Sequence, residues 1–491
     1  MRVLLVYPRT PDTFWSFKHV LRFVSKKAAF PPLGLLTVAA MLPHDWDLRL
    51  VDLNVERLTD DQLRWADYVM ISAMLVQRAS VERIVAQCDV IGKPIIAGGP
   101  LFTTSHASYP RIQHFVLGEA EDVVESLVED MKEHAVRPIY EASRRPDMTR
   151  VPAPRWDLIR LRDYVSMAVQ FSRGCPYDCE FCDIVVMNGR IPRAKSPDQL
   201  IGELESLRQR GWKEMVFIVD DNFIGDRKRT KCLLRELVRW RERTRPQMGF
   251  LAEASVNLAE DQELCQLMAK AGFRKVFVGI ETPSIESLVG CDKFHNTRGD
   301  LVQAVRTIQR SGMEVMGGFI VGFDDDPYDI FKRQFEFIQH SGVVTAMVGL
   351  LTALPRTRLY QRLLGEGRIE AESSGNNTDA ALNFKPRLDR EFLLSGYRDL
   401  MRQLYEPRTY YRRIRTFLDN HRPGGPRLWP SFWELLAFVK SIWLLGVRHE
   451  GRRTYWRLFW STLLFRPRQF RHAIELAILG HHFRRVANSM M

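Results

Sequence analysis

No run of eighteen uninterrupted apolar residues occurs in the chain, so a membrane-spanning helix is not expected. The nearest approach, Phe432 to Val447, is interrupted by Glu434 and Lys440. An export signal is not expected either: Met1 to Tyr7 carries one Arg and a five-residue apolar run, then meets Pro8, too short for a signal core. Low-complexity tracts and internal repeats are absent. Cysteine is scarce, with seven in 491 residues, and is not laid out as a disulfide framework. Cys175, Cys179 and Cys182 are bunched, whereas Cys88, Cys232, Cys265 and Cys291 are scattered. An odd number of thiols in a large chain fits a reducing cytoplasm.

What is present is globular material, 45% hydrophobic and 26% charged, in a length that suits about three domains. The net charge of +12 is unevenly placed. From His421 to Met491 twelve Lys/Arg face three Asp/Glu, and the rest of the chain is close to neutral. A local basic surface is implied, and a general affinity for nucleic acid is not.

Residues 1–150 read as alternating strands and helices. The apolar runs are Arg2 to Tyr7, Leu48 to Leu53, Tyr68 to Ala73, Pro94 to Ala97 and His114 to Leu117. Short buried strands followed by polar or Gly-rich turns predict a doubly wound parallel sheet, with ligands at the carboxyl ends of its strands. That edge carries Asp52, the Ser72-Ala73-Met74 turn, Gly98-Gly99-Pro100 and Gly118-Glu119. The connector Val151-Pro152-Ala153-Pro154 opens a second series over 151–355. Its strands are expected at Ser166 to Phe171, Met215 to Val219, Phe250 to Ala254, Lys275 to Ile280, Met316 to Val321 and Ala346 to Leu351. Helices are expected between them, including Pro197 to Gln209 and Arg298 to Ser311. Six such units predict a partial (β/α) barrel whose chemistry gathers at the strand C-termini. Residues 356–491 turn helical, basic and aromatic, punctuated at Gly424-Gly425-Pro426.

Cys175-x3-Cys179-x2-Cys182 is the sharpest signal. Thiolates are the usual ligands of iron–sulfur clusters, and four fill a [4Fe–4S] cube. Three leave one iron open to chelate the amino and carboxylate groups of S-adenosylmethionine. A structural zinc site would want a fourth Cys or His, and none lies between Phe171 and Asn188.

The stretch Phe171-Ser172-Arg173-Gly174-Cys175-Pro176-Tyr177-Asp178-Cys179-Glu180-Phe181-Cys182 resembles the cluster loop of radical S-adenosylmethionine (SAM) enzymes. The resemblance implies that Phe181 packs near the adenine. Asp220-Asp221-Asn222 is similar to the segment that meets the methionyl amino group, and Gly279-Ile280-Glu281-Thr282 to the segment near the ribose. Gly318-Phe319-Ile320-Val321-Gly322-Phe323-Asp324-Asp325 resembles the adenine element, with Asp325 where Glu is commoner. Plain turn chemistry is the alternative for Gly318 and Gly322, and helix capping for Asp220 and Asp221.

The first unit resembles the cobalamin-binding domain that precedes the barrel in one radical SAM class. The resemblance is carried by Pro31-Pro32-Leu33-Gly34-Leu35, Val51-Asp52-Leu53-Asn54, Ala97-Gly98-Gly99-Pro100 and Gly118-Glu119-Ala120-Glu121. The Asp-x-His-x-x-Gly motif that supplies a lower cobalt ligand is absent, and His19 lacks that context. Cobalt is therefore expected without a histidine, its lower face against the loop Met74 to Gln77. Methylthiotransferases need further cysteines in this domain, which has only Cys88.

Arg356-Thr357-Arg358-Leu359-Tyr360, Gly375-Asn376-Asn377-Thr378 and Leu382-Asn383-Phe384-Lys385-Pro386 resemble the extension of one subgroup. That subgroup contains the hopanoid C-2 methylase and the bacteriochlorophyll side-chain methylases. It implies methylation of an unactivated carbon on a hydrophobic substrate, with a flavodoxin or ferredoxin as electron donor. Glu253, Asn257 and Asn383 are candidate substrate-side groups. A radical cyclase or rearrangement enzyme, and a regulatory cobalamin protein with a vestigial cluster, are the competing readings. The tail holds Trp429, Trp433, Trp443, Trp456 and Trp460 among Arg pairs such as Arg452-Arg453 and Arg484-Arg485. A helix of this kind can lie on the inner face of an anionic membrane. The alternative is that Trp packs a core while Arg is solvated; no RNA module accompanies the pattern.

Overall fold

The computed structural model describes residues 1–376, 378–424, 430 and 432–489, with Trp433 as backbone only. Asn377, Gly425, Pro426 and Trp429, named above, lie outside the described residues.

The first sheet contains β1 (Arg2–Tyr7), β2 (Asp47–Asp52), β3 (Tyr68–Ser72), β4 (Ile95–Gly98), β5 (His114–Leu117) and β6 (Ile139–Glu141), in the order β2-β1-β3-β4-β5-β6. All pairings are parallel. The expectation of buried apolar strands holds: Val3 to Val6 are fully inaccessible. The sixth strand was not expected, because it has three residues and buries only Tyr140.

The second parallel sheet is the partial barrel. It contains β7 (Ser166–Val169), β10 (Met215–Ile218), β11 (Phe250–Ala254), β12 (Phe273–Glu281), β13 (Glu314–Val321) and β14 (Ala346–Leu350). Their order is β14-β13-β12-β11-β10-β7, open between the first and the last. β8 (Ser172–Arg173) and β9 (Arg193–Ala194) form a separate antiparallel pair at the mouth of the cysteine loop. The helix Pro197–Gln209 starts at a Ser196/Gln199 capping box, as its sequence demands. The helix expected from Arg298 is shorter, Leu301–Arg310, because Asp300 accepts from the amides of Val302 and Gln303 and fixes the start there.

β12 and β13 begin two residues earlier than their apolar runs indicate. Each is charged near its start: Lys275 Nζ lies 3.2 Å from Glu314, and Glu314, wholly buried, also bonds His472 Nε2 at 2.8 Å. Lys275 pairs in addition with Glu475 at 2.6 Å. His472 and Glu475 belong to the last helix, Phe470–Ser489. Trp15 stacks on Phe217 of β10 and tilts against Phe277 of β12. The N-terminal segment and the last helix thus pack at the barrel floor. The free edge of β14 is covered by the helix Arg390–Tyr405, whose Tyr397 and Tyr405 hydroxyls donate to the carbonyls of Val348 and Ala346.

Candidate functional site

The cysteine loop leaves β8 through Gly174, whose φ of +97° suits only glycine; a Cβ there would press within 2.9 Å of the Ile191 carbonyl. The loop is held from below by two carboxylates that follow β10. Asp220 accepts from the Phe171 amide (2.7 Å), the Ser172 amide (2.8 Å) and the Ser172 hydroxyl (2.6 Å). Asp221 accepts from the Gly174 amide at 2.7 Å and from Asn188 Nδ2. Asp220 is 1% exposed, and its oxygens are taken up by these loop donors. This corrects the expectation that it meets the methionyl amino group: both carboxylates serve the loop backbone. Asn222 does face the cysteines, its Nδ2 lying 3.8 Å from Cys175 Sγ.

Burial pushes the thiols of Cys175, Cys179 and Cys182 up, Cys179 to about 11, and Lys293 opposes that shift at all three. The thiols therefore share the field of one buried cation, Lys293, whose Nζ donates to Glu281 at 2.7 Å. Among the described residues no three His, Cys, Asp or Glu converge tightly enough to chelate a single ion. Ligands on separate corners of a cube stand farther apart, and three thiols beside a compensating cation fit that group. Binding it would release their protons.

Glu281 ends β12 with a φ of +63°, strained for a non-glycine residue, at a register break against β13. Its carboxylate folds back over Gly279, where any Cβ would collide with it. Gly318 is needed for a different reason: a Cβ would come within 2.8 Å of the Phe277 ring. Ile320 presents its carbonyl to Gln334, which also bonds the Glu281 carbonyl. After Gly322 the acid that orders the turn is Asp326, accepting from the Gly322 and Phe323 amides and the Ser287 hydroxyl. Sequence reading stopped at Asp325, which lines a cavity of about 220 Å³ with Phe181, Cys291, Phe323 and Arg362. Phe181 meets Phe323 edge to face at 5.8 Å.

The carboxyl edge of the first sheet carries a second cavity, about 260 Å³, between β3–β5 and the helix Leu33–Met41. Gly98, Gly99, Gly118 and Glu119 line it, together with Ser72. Gly99 has φ +89°, and a Cβ there would stand 2.7 Å from Ser72 Oγ. The cavity opens toward the cysteine loop, whose Arg173, Met187 and Asn188 complete its lining. A glycine-floored slot facing the cysteine loop fits a large ligand of a Rossmann edge. Met74 stands exposed at the same edge. Asp52 and Gln77 do not reach the slot, a second correction. Asp52 is 2% exposed and accepts from Tyr164 Oη and Asn54; Gln77 is 1% exposed and donates to the Pro8 carbonyl. Both are structural ties.

Glu119 has a further part that sequence reading missed. Its carboxylate takes Arg173 at 2.7 Å and Arg193 at 2.7 Å, and Arg173 also reaches Glu121. The first domain is thereby clamped to both strands flanking the cysteine loop. Of the substrate-side candidates, Glu253 sits half-buried on β11. Burial, with Asp221 and Asp220 nearby, pushes its carboxyl up to about 8. Asn257 is committed to Ser255 and to Tyr177 Oη, and Tyr177 stacks on His295 at 3.7 Å. Asn383 bonds both the amide and the carbonyl of Ala353. Those two asparagines are braces. Lys293, His295 and Asp326 carry no motif that would have announced them, and Tyr177 lies in the cysteine loop, where no role was expected of it.

Three family models match the chain: the Radical SAM superfamily over residues 169–338, a B12 binding domain over residues 22–128, and a domain of unknown function (DUF4070) over residues 357–491. An uncharacterized methyltransferase of Synechocystis sp. is 40% identical, over 98% of this chain and 91% of the relative. The hopanoid C-2 methylase of Rhodopseudomonas palustris is 33% identical, over 98% of this chain and 92% of that one. The solved radical S-adenosylmethionine methyltransferase TsrM of Kitasatospora setae, with cobalamin and a [4Fe–4S] cluster bound, shares the fold over 99% of both chains, with TM-score 0.63 and 16% identity. A B12-binding Rossmann sheet clamped to a radical SAM barrel is the class that fold and site define. Within it, the chain belongs to the cobalamin-dependent radical SAM methyltransferases, enzymes that use a [4Fe–4S] cluster, S-adenosylmethionine and cobalamin.

Proposed function

We propose that this enzyme methylates an unactivated carbon of a hydrophobic polycyclic lipid, a hopanoid being the first candidate. The observation that supports the chemistry is the clamp: Glu119 on Arg173 and Arg193 ties the glycine-lined slot of the first domain to the strands flanking the cysteine loop. The lipid reading is supported by the relatedness to a hopanoid methylase along nearly the whole chain, helical extension included.

In this reading Cys175, Cys179 and Cys182 hold the cluster, leaving one iron for S-adenosylmethionine. Phe181, with Gly279, Glu281, Gly318, Ile320 and Gly322, shapes the nucleoside side. Gly98, Gly99 and Gly118 would form the floor of the cobalamin site, with Met74 exposed at the same edge. When bound, these cofactors supply a carbon radical able to remove hydrogen from an inert C–H bond, and the methyl group that replaces it. The chain's own part is to fix distances and exclude water. Asp220 and Asp221 keep the loop rigid, Lys293 offsets thiolate charge, and Glu253, neutral near pH 7, offers a hydrogen bond into the barrel. Domain limits at 1–150, 151–355 and 356–491 are part of the proposal, as is a flavodoxin or ferredoxin as reductant. The proposed place of action is the cytoplasmic face of the membrane, where such a substrate resides.

The test compares lipid extracts of cells with and without the gene for masses separated by one methylene. It is paired with product analysis of the reconstituted enzyme. Methylated lipid with S-adenosylhomocysteine and 5′-deoxyadenosine is expected. A methylated bacteriochlorophyll side chain instead would replace the substrate, and deoxyadenosine without S-adenosylhomocysteine would point to a cyclase.

A further inference from the structure

The domain of unknown function contains a hairpin of two helices joined by a π-helical turn: Phe432–Ser441, Ile442–Arg448 and Arg452–Phe465. One side of this hairpin is well packed. Ser441 Oγ lies 3.0 Å from Tyr455 Oη, Trp456 Nε1 donates to the Gly446 carbonyl, and Phe438 stacks on Phe459. Lys440 Nζ is tied to the Arg22 carbonyl and Ser25 Oγ. The hairpin is therefore a fixed part of the molecule.

Its other side is apolar and, among the described residues, exposed. Leu435, Val439, Trp443 and Val447 follow one another at steps of four residues, and all are exposed, Val439 at 62% and Trp443 at 58%. The wider π turn keeps positions 443 and 447 in line with the row. Trp460, Leu463, Leu464 and Phe465 add a second exposed group at the end of the following helix, with Phe465 at 80%. Exposed apolar side chains concentrated on one short hairpin in this way mark an interaction site. Its border is basic: Arg448, Arg452, Arg453, Arg457 and Arg468 are exposed and none meets a carboxylate among the described residues. The acids on the hairpin are Glu434, engaged with Arg471, and Glu450. No helix among the described residues is long and apolar enough to cross a membrane.

We propose that residues 432–465 form a monotopic docking element for an anionic lipid surface, the apolar row entering the acyl boundary while the arginines meet phosphates. Charge complementarity selects this occupant. A second copy apposed on the same face would set one cluster of arginines against another, a repulsive arrangement. The proposal takes up the membrane location suggested above and assigns it to a defined element. Its test reads lipid binding alone, so it can fail while the methyltransferase reading stands, and the reverse.

Full-length protein is floated with vesicles of phosphatidylcholine, and with vesicles of phosphatidylcholine plus phosphatidylglycerol. The protein should rise with the second and far less with the first. Removing the apolar row by Val439→Asp with Trp443→Asp should lower partitioning by about tenfold or more. Arg452→Gln, Arg453→Gln and Arg457→Gln should each cost about fivefold, and added salt should mimic them. Melting curves matching the wild type confirm that each variant is folded. The proposal is overturned if the wild type stays in the lower fraction with both vesicles, or if the folded variants float undiminished. It is equally overturned if the row variants convert a dimer to a monomer, or if RNA rather than lipid is bound through it.

Discussion

The cysteine loop and the tail hairpin sit in one molecule and treat unsatisfied chemistry in opposite ways. Around the loop the supporting acids are turned inward and given donors: Asp220 has three, Asp221 binds Gly174 and Asn188, and Glu119 holds three arginines, Arg145, Arg173 and Arg193. Along the hairpin, apolar side chains and guanidiniums are left facing out. A site that must hold reactive groups in fixed geometry is built by saturating its supports. A surface that completes itself against something external is built by leaving them open.

The largest effect that can break this contrast is at the thiols. Replacing Cys175, Cys179 and Cys182 by Ala should bring bound iron and sulfide after anaerobic reconstitution to background and abolish 5′-deoxyadenosine formation. Retained cluster would remove the basis of the site. Next is the support beneath it. Asp220→Ala strands buried donors at Phe171 and Ser172 and should cost about 2–3 kcal/mol in denaturant unfolding; a loss below about 0.5 kcal/mol would mean the inward bonds are incidental.

A smaller effect is expected from Glu253. Its carboxyl is raised from 4.5 to about 8, so the folded state binds that proton more tightly than the unfolded one. Its contribution to stability is complete below about pH 4.5 and is lost as pH rises through 8. Glu253→Gln should flatten the wild-type fall in melting temperature across that window, and an unchanged slope would assign the fall to another group. Smallest is the hairpin in water: Leu464→Ser should change unfolding free energy by less than about 0.5 kcal/mol, because that side chain is already solvated. A large loss there would show that the face packs against something within the molecule.

Much of the framework was legible in the residues. Buried parallel strands announce themselves as short apolar runs; here Val3 to Val6 and Phe250 to Ala254 are short, largely buried and bounded by turns. The cysteine spacing was equally clear because adjacent ligands are close in sequence. What escaped depends on partners far apart. Glu119 finds Arg193 across 74 residues, and Lys275 finds Glu475 across 200. No periodicity records such pairs. Asp52, Gln77 and Asp220 were placed at the right edges but given the wrong task, because an acid or amide at a strand end satisfies a neighbouring backbone as readily as a ligand. The tail was readable in composition, while the direction in which Trp443, Trp456 and Trp460 face needed the packing of the hairpin.

The ionic group on the barrel floor sets an order of events during synthesis. Glu314 is sealed in by Lys275 and His472, and Lys275 shares its charge with Glu475; His472 and Glu475 both come from the last helix. While the nascent chain is still threaded through the ribosome, β12 and β13 have been made but these partners have not emerged. The barrel floor is completed only once that helix is free to dock. A chain ending before residue 470 would leave Lys275 and Glu314 to face each other without Glu475 and His472, so the last helix is part of the barrel's charge balance and not an appendage to it.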